Sequence, residues 1–144
     1  MKLLIKTLFF IFIAKGAFSQ SKVTWNTLAD VQFNKQWNAK EKMFILIPQF
    51  GQKVKPLQDK SIEITGYMIP MDVETNYYVL SANPFASCFF CGGSGPESVM
   101  SVKFKGKNRR FDTDERVTLR GKLKLNTDNF EELNYILTEA EAIN

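Results

Sequence analysis

Histidine is absent from the 144 residues. That excludes His-dependent catalytic triads, imidazole acid–base chemistry and every metal site with a histidine ligand. Cysteine is almost absent: the chain has 2, Cys88 and Cys91, both in one short stretch. A framework of several disulfides is therefore excluded. Long apolar runs are missing too. Residues 7–14 (Thr-Leu-Phe-Phe-Ile-Phe-Ile-Ala) are far shorter than the ~20 residues that a membrane-spanning helix needs. No Gly-Lys-Ser/Thr ending follows Gly92-Gly93-Ser94-Gly95, which leaves a phosphate-cradling loop without its key cation. No carboxylate pair stands out for acid–base work, and Asp112, Asp114 and Glu115 read as solvated loop acids. Internal repeats and low-complexity tracts are absent as well.

What is present is ordinary globular material. Hydrophobic residues make up 44% and charged residues 24%, which argues against disorder. Thirteen phenylalanines supply bulk for a core.

Residues 1–19 read as a secretory signal peptide. Lys2 and Lys6 form its basic start, residues 7–14 its apolar stretch, and Ala17 and Ser19 the small residues before a cleavage point at Gln20. An uncleaved membrane anchor is the alternative. Residues 20–144 are then expected to form a single β-rich exported domain, periplasmic or secreted. Loss of Lys2, Lys6 and Lys15 leaves 16 basic against 15 acidic side chains. The net charge of +4 is thus largely the leader's, and the global case for nucleic-acid binding goes with it. Membrane contact is expected only through an uncleaved leader.

The mature chain reads as mostly strands. Thr24 is a capping residue before Trp25 and Leu28, which suggests a helical turn packing both inward. Val31, Phe33 and Trp37 recur with period two, a strand signal. Residues 43–47 are continuously apolar up to Pro48, which predicts a buried strand. Residues 51–60 read as a polar loop. Ile62, Ile64 and Gly66 alternate with polar partners until Pro70, which is expected to stop the strand. Residues 77–80 and 99–104 are short β segments. Val117, Leu119, Gly121, Leu123 and Leu125 alternate with charged or polar residues, the strongest strand signal in the chain. Asp128 and Glu131 predict a short helical turn over residues 128–133, followed by a closing strand. The fold expectation is all-β and mainly antiparallel: a small OB-like barrel or strongly bent sheet with short helical turns. Gly66 and Gly121 mark either bends or places where a neighbour needs room.

One stretch carries chemistry: Ser87-Cys88-Phe89-Phe90-Cys91-Gly92-Gly93-Ser94-Gly95-Pro96-Glu97. Thiols three positions apart can converge on each other or on one ion. Successive N–H groups of the glycines can point at one site and lower a thiol pKa. Three readings stay open. The pair is a disulfide or an uncatalytic thiol pair; or it contacts a metal; or it exchanges disulfides, with Cys88 as attacking thiolate. A loop this small makes a disulfide a poor staple. For a metal, Cys88 and Cys91 need further donors: Glu97, Asp72 or Glu74 as oxygen ligands for zinc, or Met68, Met71 or Met100 as thioethers for Cu(I). Redox catalysis of the thioredoxin kind needs a helix after the motif, and glycines follow instead. Lys103, Lys105, Lys107, Arg109, Arg110, Arg116, Arg120, Lys122 and Lys124 alternate with apolar residues and read as a solvated face.

Gly66-Tyr67-Met68-Ile69-Pro70, the tyrosine-rich strand after it, Cys88-x-x-Cys91-Gly92-Gly93 with Gly95-Pro96-Glu97, and Val117-x-Leu119-x-Gly121 together resemble an uncharacterised family of short bacterial exported proteins, a domain of unknown function. The resemblance spans residues 25–142. Relatives often carry prolines after the second cysteine, where this chain has Gly92, Gly93 and Ser94. It implies an OB-type barrel and, by association, an accessory role beside ABC-type transporters linked to metal uptake. It assigns no reaction. The reading is an exported binding or accessory module, more a binder than an enzyme. Cys88 and Cys91 would be its metal-contacting or redox-sensitive pair, and Tyr67, Met68, Pro70, Gly92, Gly93 and Glu97 its binding rim. The partner would be a membrane transporter or another exported protein. The rivals are a periplasmic thiol–disulfide oxidoreductase and a scaffold with a loop disulfide.

Overall fold

The structure, a computed structural model, describes residues 21–143. The expected signal peptide lies outside the described residues. A short strand β1 (Ser21–Lys22) leads into helix α1 (Trp25–Leu28). A hairpin follows, β2 (Val31–Asn38) and β3 (Met43–Phe50), and then β4 (Ser61–Asp72), β5 (Tyr77–Ser81), β6 (Val99–Phe104), β7 (Arg116–Leu125) and β8 (Tyr135–Ala142).

Five strands close on themselves in the order β4-β5-β6-β8-β7, with β7 returning to β4. The β6–β8 pairing is parallel and the others in the ring are antiparallel. This is a small all-β barrel of OB type. Strand β4 makes closure possible because it serves both of its neighbours in the ring, besides the short parallel β1. Its first half pairs with β7 up to Tyr67, and from Tyr67 onward it pairs with β5. Gly66 stands at that handover. A Cβ there would lie 2.6 Å from the Ser81 carbonyl oxygen and 2.9 Å from Leu80 Cγ, so the crossing strands require glycine. At Gly121 both readings hold together: the β7–β8 register shifts there, and a Cβ would lie 2.7 Å from the Thr138 carbonyl oxygen.

Alternation along the strands fills the barrel with Ile62, Ile64, Met68, Tyr78, Leu80, Met100, Val102, Leu119, Leu123 and Leu137. Helix α1 is capped by Thr24, whose Oγ1 accepts the Thr27 N–H. Leu28 is fully buried, and its carbonyl accepts the buried Tyr135 hydroxyl at 2.6 Å. Trp25, half-buried, donates from Nε1 to the Thr65 carbonyl at 2.8 Å. Phe104, Phe111 and Tyr78 form an aromatic cluster with centroids 5.4–5.9 Å apart. Phe111 belongs to no strand and gave no sequence signal.

Several expectations are corrected. Pro70 does not stop β4, which runs on to Asp72; the register breaks just after Pro70, and a bulge tolerates a residue without an N–H. Residues 43–47 form a strand, yet Met43, Phe44 and Leu46 are exposed, and β3 continues through Pro48 to Phe50. Proline is accommodated because β3 has one partner strand among the described residues. The polar loop 51–60 contains a 3-10 turn and sends Val54 into the core. Residues 128–133 form no helix. Asn126 organises them instead: its Nδ2 donates to the Asn129 carbonyl at 2.6 Å and its Oδ1 accepts the Asn129 N–H. The basic face is solvated as expected, and much of it is ion-paired: Lys103 to Glu132, Lys105 to Glu141, Arg109 to Glu115 and Arg120 to Glu63.

Candidate functional site: the dithiol loop and its apolar groove

Strands β5 and β6 are buried on both faces. Tyr78 and Leu80 point into the barrel, while Val79 points the other way, into a second cluster with Ile69, Val99 and Cys88. Phe89 and Leu133 pack against this cluster. The cysteine loop, which joins β5 to β6, therefore lies over the outer face of the barrel wall, with Cys88 as its inward anchor. Cys88 is fully buried and Cys91 is exposed.

The loop folds into successive 3-10 turns. The N–H groups of Cys91 and Gly93 both donate to the Cys88 carbonyl, at 3.2 and 3.1 Å, and Gly92 donates to the Phe89 carbonyl. Gly92 takes the left-handed conformation, φ +75°, that ends this turn. Gly93 has no room for a side chain, because a Cβ would lie 2.6 Å from the Ser87 carbonyl oxygen. Ser94 ties the ends together: Asn83 Nδ2 donates to its Oγ, which donates to the Ser87 carbonyl, each at 2.8 Å. The Phe85 N–H donates to Asp114 Oδ1 at 2.6 Å, which fastens the loop to the segment before β7. The sequence did not mark Asn83 and showed Asp114 only as a solvated loop acid; their short polar side chains, before Pro84 and after Thr113, and Ser94 between Gly93 and Gly95, were the only hints of turn chemistry.

The glycine N–H groups are thus spent on backbone carbonyls. Their expected effect on the thiols is reversed at Cys91, whose pKa is raised by partial loss of water around its sulfur and then by the neighbouring Cys88. The cysteines are free thiols, not at disulfide distance. Cys88, the expected attacking thiol of the oxidoreductase reading, is out of a partner's reach because its side chain is an anchor in an apolar cluster.

The expected rim residues divide. Gly92 and Gly93 are exposed, and Tyr67, Pro70 and Glu97 are half-buried. Met68 is corrected: alternation along β4 points it into the barrel, where it is fully buried. Met100 is in the same core, on the opposite side of the sheet from Cys88. Among the described residues no group of three or more Cys, Asp or Glu side chains gathers that could hold an ion. Glu97, Asp72 and Glu74 therefore do not complete a zinc set with the two thiols.

Beside the loop runs an apolar groove of about 270 Å³. Met43, Phe44, Leu46 and Pro48 of β3 line one part, and Phe89, Pro96, Phe130 and Leu133 another. Phe89 and Leu133 are the same side chains that pack against the Cys88 cluster. The cluster that holds Cys88 and the groove wall thus have Phe89 and Leu133 in common.

Fold and site together define an OB-type barrel with a dithiol loop on its outer wall. No known protein family and no curated protein matches the chain. Among solved structures, a DUF3299 family protein from Pseudomonas aeruginosa is similar, with a TM-score of 0.53 at 13% identity, covering 88% of this chain and 97% of that one. At that identity the likeness shows the fold alone. It agrees with the all-β barrel fold.

Proposed function

We propose that this protein is an exported, non-enzymatic binding module in which the Cys88–Cys91 pair is a redox-sensitive switch on the groove wall. The observation that carries the reading is the split exposure of the pair: Cys91 faces solvent while Cys88 anchors the cluster against which Phe89 and Leu133 rest. On oxidation a sulfur–sulfur bond forms between Cys88 and Cys91. Two electrons and two protons pass to a disulfide on an exported partner, which becomes two thiols. Bond formation draws Cys88 toward Cys91, and Phe89 and Leu133 lose their support. The accessory role beside a transporter that the family resemblance implies is compatible with such a module.

A second reading has its own support. Cys91 and the neighbouring Cys88 form a sulfur-only donor pair with no gathered carboxylates among the described residues, a set that suits Cu(I) better than zinc.

Hydrogen exchange tests the switch. Oxidation is expected to deprotect the Cys91, Gly92 and Gly93 amides while leaving the barrel strands unchanged, and the Cys88→Ser/Cys91→Ser chain is expected not to respond. Identical exchange in reduced and oxidised protein would rule the switch out. In the same variant, native mass spectrometry after Cu(I) exposure should lose any ion bound by the reduced chain; an unchanged stoichiometry ends the second reading.

A further inference from the structure

The groove beside the dithiol loop follows an edge, not a face. Along β3 the side chains alternate between the two faces of the hairpin, with Met43 and Ile45 on one and Phe44, Leu46 and Pro48 on the other. All of them line the same groove. A groove that touches both sets runs along the outer edge of the strand, since β2 occupies the inner one.

That outer edge is unpaired. β3 has β2 as its one partner among the described residues. Alternate residues of an edge strand aim their N–H and C=O groups outward. Among the described residues, no backbone group outside β2 bonds to the backbone of residues 43–48. Pro48, which has no N–H, fits such an edge. The two edges of the hairpin also differ. β2 carries Gln32, Asn34, Lys35 and Gln36, and a polar, cationic edge resists the addition of a strand. Before Pro48 no charge interrupts β3, and Met43, Phe44 and Leu46 are about half exposed.

An occupant must supply backbone donors and acceptors to the edge, and apolar side chains to both sets that flank it. An extended peptide does both, whereas a lipid chain does only the second. Charge specifies one end of the peptide. Past Phe130 the groove continues into a hollow of about 470 Å³ bordered by Lys40, Glu41, Asp128 and Glu131. Lys40 and Glu41 pair with each other at 3.7 Å. Asp128 and Glu131 have no ion pair among the described residues. This end is therefore acidic on balance and complements a basic residue.

We infer that the outer edge of β3 takes up an extended, apolar segment of another protein as an added strand, with a basic residue of that segment beside Asp128 and Glu131. Phe89 and Leu133 form the wall on its other side. The inference names the ligand class of the binding module proposed above and rests on that reading.

A titration of the reduced full chain tests it. The probe is a hexapeptide of alternating valine and threonine, flanked by lysines and blocked at both ends. Amide exchange should slow at alternate positions within residues 43–48 and stay unchanged over residues 31–36. N-methylation of one alternate set of peptide residues, those whose N–H groups face β3, should weaken binding by about tenfold or more. Methylation of the other set should leave it unchanged. Glutamates in place of the flanking lysines should weaken binding about threefold. In the Asp128→Asn/Glu131→Gln chain the two peptides should bind alike. Equal loss from both methylated sets, or protection over residues 31–36 instead, would overturn the inference. So would β3 amides already protected in a self-associating chain without peptide, since a second copy would then hold the edge. Peptide binding that is the same before and after oxidation would remove the switch and still support strand addition. A chain that binds neither peptide while its dithiol turn responds to oxidation would overturn strand addition and leave the switch standing.

Discussion

Cys91 is exposed, and yet its thiol holds its proton more tightly than a free one. The thiolate is the reactive form, so Cys91 should be alkylated slowly at neutral pH. Its alkylation rate should rise with pH to a midpoint above that of a free thiol, about 8.5. Cys88 should stay unmodified in the folded protein at every pH of the series. Mass mapping of the alkylated sites checks both; a Cys91 midpoint below the free value would point to an activated nucleophile. The spacing of the two cysteines was enough to say that they stand close. It could not say which one faces inward, because that depends on the outer wall of the barrel, built from Ile69 and Val79 on other strands and Val99 after the loop.

At the scale of elements, β4 decides whether the barrel closes. Gly66→Ala would push a methyl group into the Ser81 carbonyl and Leu80, where the contact is with backbone and cannot simply rotate away. A loss of roughly 2 kcal/mol in unfolding free energy is expected, read by urea denaturation; a neutral result would show that β4 can leave β5 without cost. The strands themselves were legible. Residues 117–125 alternate cleanly because one face of β7 meets the core and the other meets water. The run 43–47 misled because a continuous apolar stretch signals a strand covered on both sides, and here the cover is absent from the described residues of the chain. Pro48 and Pro70 misled for the opposite reason. Proline stops an interior strand, whereas these two sit in a hairpin with one partner and at a bulge. Residues 128–133 read as helical, but they form a turn in which one side chain, Asn126, supplies the bonds that a helix would have supplied.

For the whole molecule, the barrel is a rigid wall with a core on each side of one part of it. The inner core fixes the strands. The outer one, small and anchored by Cys88, fixes the loop and one wall of the groove. In the proposed switch, chemistry at the loop is felt in the groove while the barrel stays as it is. Among the described residues no helix is long and apolar enough to cross a membrane.

The proposed switch favours the reduced form, in which Cys88 is buried as a thiol and its carbonyl holds two N–H groups of the turn. A stabilised dithiol makes its disulfide easier to reduce. Equilibration in graded glutathione buffers, read by intact mass, measures this directly. We expect a reversible intramolecular disulfide with a potential clearly less negative than the about −300 mV below which structural disulfides fall. A bond that persists beyond that value, or a pair that never closes, would contradict a redox switch at Cys88 and Cys91.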